Sequence, residues 1–170
     1  MMAQLIKKQT LAADPWQSLT LAEGETPETV ALPAGDVIFP LAVWLARKNE
    51  IVSCHKRIGL LLEADDPFEQ VIDDLQYFIV IAVNFRKFVD GRGYSVASLL
   101  RQRHAYAGEL RAVGDILHDQ LFYLKRVGFD AYALKDGKNA AYAIENAFST
   151  FSDVYQASTD QPEPIFRRTA

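Results

Sequence analysis

The chain has 170 residues, of which 49% are apolar and 24% charged, a composition that predicts one ordinary folded domain. Its net charge of -4 argues against a protein that mainly binds nucleic acid, because neutralising phosphates requires clustered lysine and arginine. The single cysteine, Cys54, excludes an intrachain disulfide, a cysteine-ligated iron–sulfur cluster within the chain and a Cys-x-x-Cys redox pair.

The sequence predicts no contact with a membrane. Residues 1–11 lack the apolar region of a secretory signal. The most apolar stretch, residues 78–83, is far shorter than the ~20 residues needed to cross a bilayer. We therefore expect a soluble, cytoplasmic protein.

The pattern of apolar and polar residues divides the chain into a cap, a body and a tail. We expect one α/β domain over residues 1–160, in which residues 1–32 form an N-terminal β-hairpin or cap and residues 33–156 form strand–helix repeats. Residues 157–170 contain prolines and two adjacent arginines, which predicts a C-terminal tail.

Short apolar runs and helical periodicity alternate along the body of the chain. The N-terminal hairpin is expected to pair residues 5–6 with residues 19–21 around an Asp-Pro turn. Further strands are expected at residues 37–39, 58–62, 78–83, 109–113 and 130–134. Helices are expected at residues 41–48, 67–75, 116–126 and 139–151, with one more beginning after Ser95. Asp66, Ser95 and Asp115 are the expected N-caps, and Gly128 is the expected helix stop. This alternation predicts an α/β fold with a mainly parallel sheet of about five βα units, either open or partial-barrel-like.

Ligands of parallel α/β folds bind where the strands end, because loops and helix N-termini converge there. Three such ends carry polar residues, at residues 84–95, 109–115 and 134–137. The first contains Gly-Arg-Gly at residues 91–93, which can place backbone N–H groups and a guanidinium around an anion. The alternative is a turn that needs a positive φ, followed by a helix cap. The glycines do not match a dinucleotide or Walker motif, so no cofactor is implied.

The second end places Glu109 and Arg111 on one face of a strand, because they are two residues apart. They either form a structural ion pair or line a site. Glu109 and Asp115 are the candidate acid or base groups, although helix capping also explains Asp115. The candidate ligand-binding residues at or near these ends are Asp90, Arg92, Tyr94, Arg101, Arg111 and Asp119, and a solvent-exposed helix face is the alternative for Asp119.

The histidines and the cysteine do not indicate a site. The three histidines lack the spacing of metal ligands, so no metal is expected. Cys54 is interpreted as a buried small residue rather than a nucleophile.

Several long motifs stand between residues 88 and 130. They are Phe-Val-Asp-Gly-Arg-Gly-Tyr-Ser at residues 88–95, Leu-Leu-Arg at 99–101, Gly-Glu-Leu-Arg-Ala-Val-Gly-Asp at 108–115, Asp-Gln at 119–120 and Gly-Phe-Asp at 128–130. These motifs resemble those of an uncharacterised bacterial family that carries the label of an oxidoreductase involved in sulfite reduction. The resemblance extends more weakly to residues 14–16, 40–45 and 166–168. One departure is Val127, where the family often has a cysteine, and we interpret this position as packing.

The resemblance implies a place in assimilatory sulfur metabolism, and it supplies no catalytic residue. One hypothesis is an enzyme or binding protein in which Arg92, Arg101 or Arg111 holds an oxyanion such as sulfite. The alternative is a non-catalytic accessory protein that contacts sulfite reductase or other sulfate-assimilation enzymes. A homodimer with another ligand is the third hypothesis. Whether the chain is an enzyme stays open at this point.

Overall fold

The computed structural model describes residues 5–134, 139–149 and 151–168, and eight strands of this part form one sheet. The strands are β1 Leu5–Lys7, β2 Thr10–Ala12, β3 Gln17–Ser18, β4 Val37–Pro40, β5 Ile58–Glu63, β6 Phe78–Phe85, β7 Glu109–Gly114 and β8 Ala131–Ala133. The α-helices are α1 Leu41–Cys54, α2 Arg92–Gln102, α3 Leu121–Val127, α4 Ala140–Asn146 and α5 Ile165–Arg168. Two 3-10 helices cover Phe68–Tyr77 and His118–Gln120.

The sheet is mostly parallel, as the alternation of strands and helices predicts. Its strand order is β2-β1-β8-β7-β6-β5-β4-β3, and the neighbours from β3 through to β8 all run parallel. The longest strand, β6, lies at the centre because its run of β-branched and aromatic residues is buried on both faces. The prediction of about five βα units was too low, since the sheet has eight strands.

The N-terminal hairpin was predicted with the wrong partner. β1 pairs with β2 through a tight turn in which Lys8 and Gln9 both have positive φ. The second predicted strand, at residues 19–21, is replaced by β3, which lies at the opposite edge of the sheet, parallel to β4. The Asp-Pro segment therefore links the two edges instead of turning a hairpin.

This link requires the sheet to curl. Residues 13–16 join β2 to β3, and five residue steps reach at most about 18 Å. Eight strands laid flat would separate these edges by roughly 34 Å, at ~4.8 Å for each spacing. The sheet accordingly curls into a half-barrel. This decides between the two predicted forms in favour of the partial barrel.

The two faces of the half-barrel are covered differently. The helices pack on the outer face, where Trp44, Phe39, Phe85 and Leu100 are buried in the main core. Residues 13–16, which we call the strap, run directly from one edge of the curled sheet to the other and therefore lie on its inner face. There Trp16 packs against a small cluster of Ile38, Val80 and Ala82.

Several helix boundaries differ from the predictions. The helix expected after Ser95 begins at Arg92, so Ser95 lies inside α2 and is not its cap. Asp66 does not cap its helix, because its carboxylate accepts the N–H of Glu63. The helix expected from residue 116 begins only at His118, as 3-10. Gly128 ends α3 with a φ of 113°, as predicted.

Two further corrections concern the C-terminal region and Cys54. The helix expected over residues 139–151 ends at Asn146. Part of the predicted tail is fastened to α3, since the Ser158 hydroxyl donates to the carbonyl of Arg126 at 2.7 Å. Cys54 is exposed, not buried. Throughout the described ranges, each helix is too short or too polar to cross a lipid bilayer.

Candidate functional site

The loop after β6 carries the first group of predicted residues. Asp90 and Arg92 form a two-pronged ion pair, in which Nε and Nη2 of Arg92 donate to the carboxylate at 2.9 and 2.7 Å. The hydrogen bonds from the side chain and the backbone N–H of Arg92 lower the pKa of Asp90 to about 2. The Arg92 side chain remains 59% exposed. The loop therefore presents a paired but accessible guanidinium.

Of the two glycines of this loop, Gly93 has a packing role. Neither has a positive φ, so the predicted left-handed turn is not formed. A Cβ on Gly93 would lie 2.7 Å from the ring of Phe85 and 3.1 Å from Val83. Gly93 thus allows the first turn of α2 to lie directly on β6.

Gln120 ties the loop to the helix that follows β7. Its side-chain amide donates to the carbonyl of Phe88 at 3.3 Å and to the hydroxyl of Tyr94 at 3.2 Å. Burial raises the pKa of Tyr94. Asp119, beside Gln120, is exposed. The structure therefore brings Asp90, Arg92 and Tyr94 to one end of the sheet, with Asp119 next to the residue that joins them.

A second polar group at the same end was not among the predicted site residues. The side-chain amide of Asn84 donates to both carboxylate oxygens of Glu63 at 3.1 Å, and Nε of Arg86 donates to the same carboxylate at 2.7 Å. Burial raises the pKa of the neighbouring Asp66. The rule that ligands gather at strand ends could have found Glu63, because it directly follows the strand predicted at residues 58–62.

Glu109 and Arg111 lie on the inner face of the half-barrel, in an ion network. Arg111, whose side chain is 3% exposed, donates to Glu109 at 2.9 Å and to Asp14 of the strap at 2.7 Å. Lys7 of β1 contacts the other oxygen of Glu109 at 2.6 Å. Burial raises the pKa of Glu109, but the hydrogen bond from Lys7 and the charge of Arg111 outweigh it and leave the pKa lowered. Two cations and two anions thus neutralise one another.

Arg101 lies at the other end of the strands. Its guanidinium donates to the carbonyls of Gly128, at 3.0 Å, and of Gly108, at 2.9 Å, and it pairs with Asp130. Asp130 in turn accepts the N–H of Leu110 at 3.0 Å. Arg101 therefore fastens the segments that lead into β7 and β8.

Asp115 follows β7 and lies two residues before Leu117, which holds the N-cap position of the 3-10 helix. Its backbone N–H donates to the carbonyl of Phe85 at 2.7 Å, which joins the ends of β6 and β7. The N–H of Ile116 donates to Gly114 at 2.9 Å, so the chain turns tightly before the 3-10 helix begins. The third predicted strand end, from Leu134 onward, falls mostly on residues 135–138, which lie outside the described residues.

The predicted residues thus fall into three separate groups. Asp90, Arg92 and Tyr94 are at the carboxyl ends of the strands, Glu109 and Arg111 are on the inner face, and Arg101 is at the amino ends. Among the described residues, no three side chains of histidine, cysteine, aspartate or glutamate are arranged to hold a metal ion. The chemistry that the carboxyl end offers is exposed arginine beside carboxylate, with the apolar tip of the 86–91 loop next to it.

These features define an α/β protein with a mostly parallel half-barrel sheet and a polar carboxyl end. The chain belongs to a bacterial family of unknown function, described as "Bacterial protein of unknown function (DUF934)", whose model matches residues 59–166. A search of curated proteins found no match. Val127, where the sequence analysis placed a family cysteine, is 5% exposed in the main core, which supports its interpretation as packing.

Proposed function

We propose that the chain is a cytoplasmic accessory protein of assimilatory sulfite reduction that acts by contact with an enzyme of that pathway. The pathway rests on the family resemblance of the motifs between residues 88 and 130. The mode of action rests on one observation, the exposed apolar tip of the 86–91 loop. Val89 is 83% exposed there and Phe88 is 42% exposed.

Two hydrogen bonds to backbone carbonyls of the loop hold the tip in place. Gln120 donates to the carbonyl of Phe88, and the N–H of Asp90 donates to the carbonyl of Lys87 at 3.0 Å. A fixed apolar tip loses little conformational freedom on binding, which favours affinity. Burying apolar area there would contribute about 25 cal/mol per Å² before the costs of association.

Basic residues surround the tip and indicate the charge of the partner surface. Arg86 is 60% exposed and Arg92 59% exposed, and Lys87 is also exposed. Glu63 neutralises Arg86 and Asp90 neutralises Arg92, so these five residues keep one net positive charge, that of Lys87. The complementary surface is an apolar pocket with an acidic rim, and attraction between the two would mainly speed association.

The test measures binding of purified sulfite reductase to the purified unaltered chain and to a variant with a charge at the tip. Phe88→Asp should weaken binding at least about tenfold, because it puts a carboxylate where apolar contact is expected. Leu45→Asp is the matched control, since Leu45 is 45% exposed on α1 and should leave binding unchanged. Equal loss in both variants, or no binding by the unaltered chain, would refute the proposal. Light scattering distinguishes this complex from a homodimer.

A second candidate function is oxyanion binding at the same end of the sheet, favoured by the exposure of Arg86 and Arg92. An oxyanion would compete with Asp90 for the guanidinium of Arg92, and Asp115 would be the nearby acid or base. Calorimetric titration with sulfite, sulfate and adenylyl sulfate tests this. Arg92→Gln should abolish the heat with sulfite and sulfate, whereas Arg57→Gln should retain it, because Arg57 forms a comparable exposed pair with Asp36. No heat from any of the three ligands would count against this function.

A further inference from the structure

A cleft of about 490 Å³ lies between α2, α3 and the C-terminal segment. Its size is within the range of small-molecule sites, roughly 300 to 1,000 Å³. We propose that it binds a neutral heteroaromatic ring of the nucleobase class, as a free nucleoside or as part of a larger ligand.

Aromatic rings form one wall of this cleft. The rings of Tyr94 and Tyr123 lie 5.2 Å apart at an angle of 52°, and Tyr123 is 52% exposed. Tyr94 is anchored through its hydroxyl by Gln120, whereas the ring of Tyr123 is accessible from solvent. An exposed tyrosine face stacks on a flat heteroaromatic ring, because both are polarisable and the ring of a base has a π face.

Four side chains that can form hydrogen bonds line the rest of the cleft together with the apolar Leu99, Val127 and Ala157. Ser95, Ser98 and Gln102 follow one another along α2, and Ser158 faces them from the C-terminal segment. The amide of Gln102 donates to the hydroxyl of Ser98 at 3.0 Å, which fixes its orientation. Hydroxyl and amide groups both donate and accept, as the edge of a nucleobase does.

The charge of the lining selects the kind of ligand. Among the described residues, those that line this cleft are all uncharged. A charged ligand group entering it would lose water without gaining an opposite charge, which is costly. An inorganic oxyanion therefore does not suit this cleft. The inference is separate from the partner contact and from oxyanion binding at Arg92.

Titration of the full chain with adenosine, guanosine, cytidine and uridine, followed by saturation-transfer NMR and calorimetry, tests the proposal. At least one nucleoside should bind saturably, with inorganic sulfate failing to compete. Tyr123→Ala should weaken that binding about tenfold by removing the stacking face. Ser98→Leu should also weaken it, because the larger apolar side chain narrows the cleft and removes a hydroxyl group.

Tyr142→Ala is the matched control, because Tyr142 is also 52% exposed but lies on α4 against His118. It should bind the nucleoside as the unaltered chain does. Equal weakening in Tyr142→Ala and Tyr123→Ala would overturn the proposal, and so would displacement by sulfate. Absence of saturable binding by all four nucleosides would overturn it as well. Unfolding midpoints of the variants show whether each one is folded.

Discussion

Arg111 has the most restrictive surroundings of the charged residues that were predicted to form a site. It is 2% exposed and is shared between Glu109 and Asp14, so its donors are already used by the chain. Asp14 is 97 residues away in sequence, on the strap. Arg111 therefore connects the strap to the centre of the sheet and stabilises the inner face of the half-barrel.

Replacing Arg111 should destabilise the fold strongly. Arg111→Met keeps much of the apolar stem but leaves Asp14 without its cation and Glu109 with Lys7 alone. Breaking a buried ion pair in this way costs about 3 to 5 kcal/mol of unfolding free energy. Urea denaturation measures the loss. Arg92→Met, which breaks an exposed pair, is the control and should cost much less, because solvent screens that pair. Similar costs for the two variants would contradict the structural role of Arg111.

The lowered pKa of Glu109 predicts a dependence of stability on pH. A carboxyl group with a lower pKa in the folded state stabilises the fold above its unfolded pKa, and this contribution is lost as pH falls through the folded pKa. Urea midpoints at about pH 7 and at about pH 3 measure it. Glu109→Gln should lose less stability between these conditions than the unaltered chain. An equal or greater loss would show that Glu109 is not a source of the acid sensitivity.

At the scale of single residues, the sequence predicted which charged residues lie together better than it predicted what they bind. It placed Glu109 and Arg111 on one strand face and weighed a structural ion pair there, because strand periodicity is local. It could not supply Asp14 and Lys7 as partners, since Asp14 lies on the strap and Lys7 on β1, two strands from β7, and both positions depend on the completed sheet. Nor could it show that Arg101 binds carbonyls, which depends on where α2 lies.

Among the elements, α2 shows most clearly how a glycine allows close packing. Its first turn lies against Phe85 and Val83 of β6, and only the missing Cβ of Gly93 allows this approach. From the sequence alone, the alternative for Gly91 and Gly93 was a turn with a positive φ. The element itself was predicted, but its start was placed too late because Ser95 has the chemistry of a cap.

Gly93→Ala should therefore destabilise the protein by about 1 to 3 kcal/mol, because the new methyl group would overlap Phe85 and force α2 away from the sheet. Gly91→Ala is a control only two residues away. Its Cβ would lie 3.9 Å from the nearest atom, Tyr94, and its φ is −83°. Thermal unfolding of the two variants compares them. A neutral Gly93→Ala would mean that α2 does not lie on β6 as described.

At the scale of the whole molecule, the sequence predicted the parallel part of the sheet but did not determine whether the sheet curls. The runs that form β4, β5, β6 and β8 are mostly apolar, and in β7 Glu109 and Arg111 alternate with apolar residues, so all five strands are visible locally. The edges are held by β2 and β3, which have three and two residues and are mostly exposed. Such short strands have no pattern of their own, and their placement depends on the completed sheet.

The half-barrel also separates the charged candidates by location. Its inner face is neutralised and covered by the strap, whereas its carboxyl end leaves the 86–91 loop accessible. We therefore propose partner contact for this loop and structural roles for Arg101 and Arg111.

Amide hydrogen exchange of the chain, measured alone and with an excess of purified sulfite reductase, tests that claim most directly. We expect slower exchange at residues 86–91 and at the start of α2, with β2 and α1 unchanged as internal references. Phe88→Asp should remove this protection. Protection confined to another surface, or an exchange pattern that the enzyme does not alter, would contradict the assignment of the loop as the contact surface.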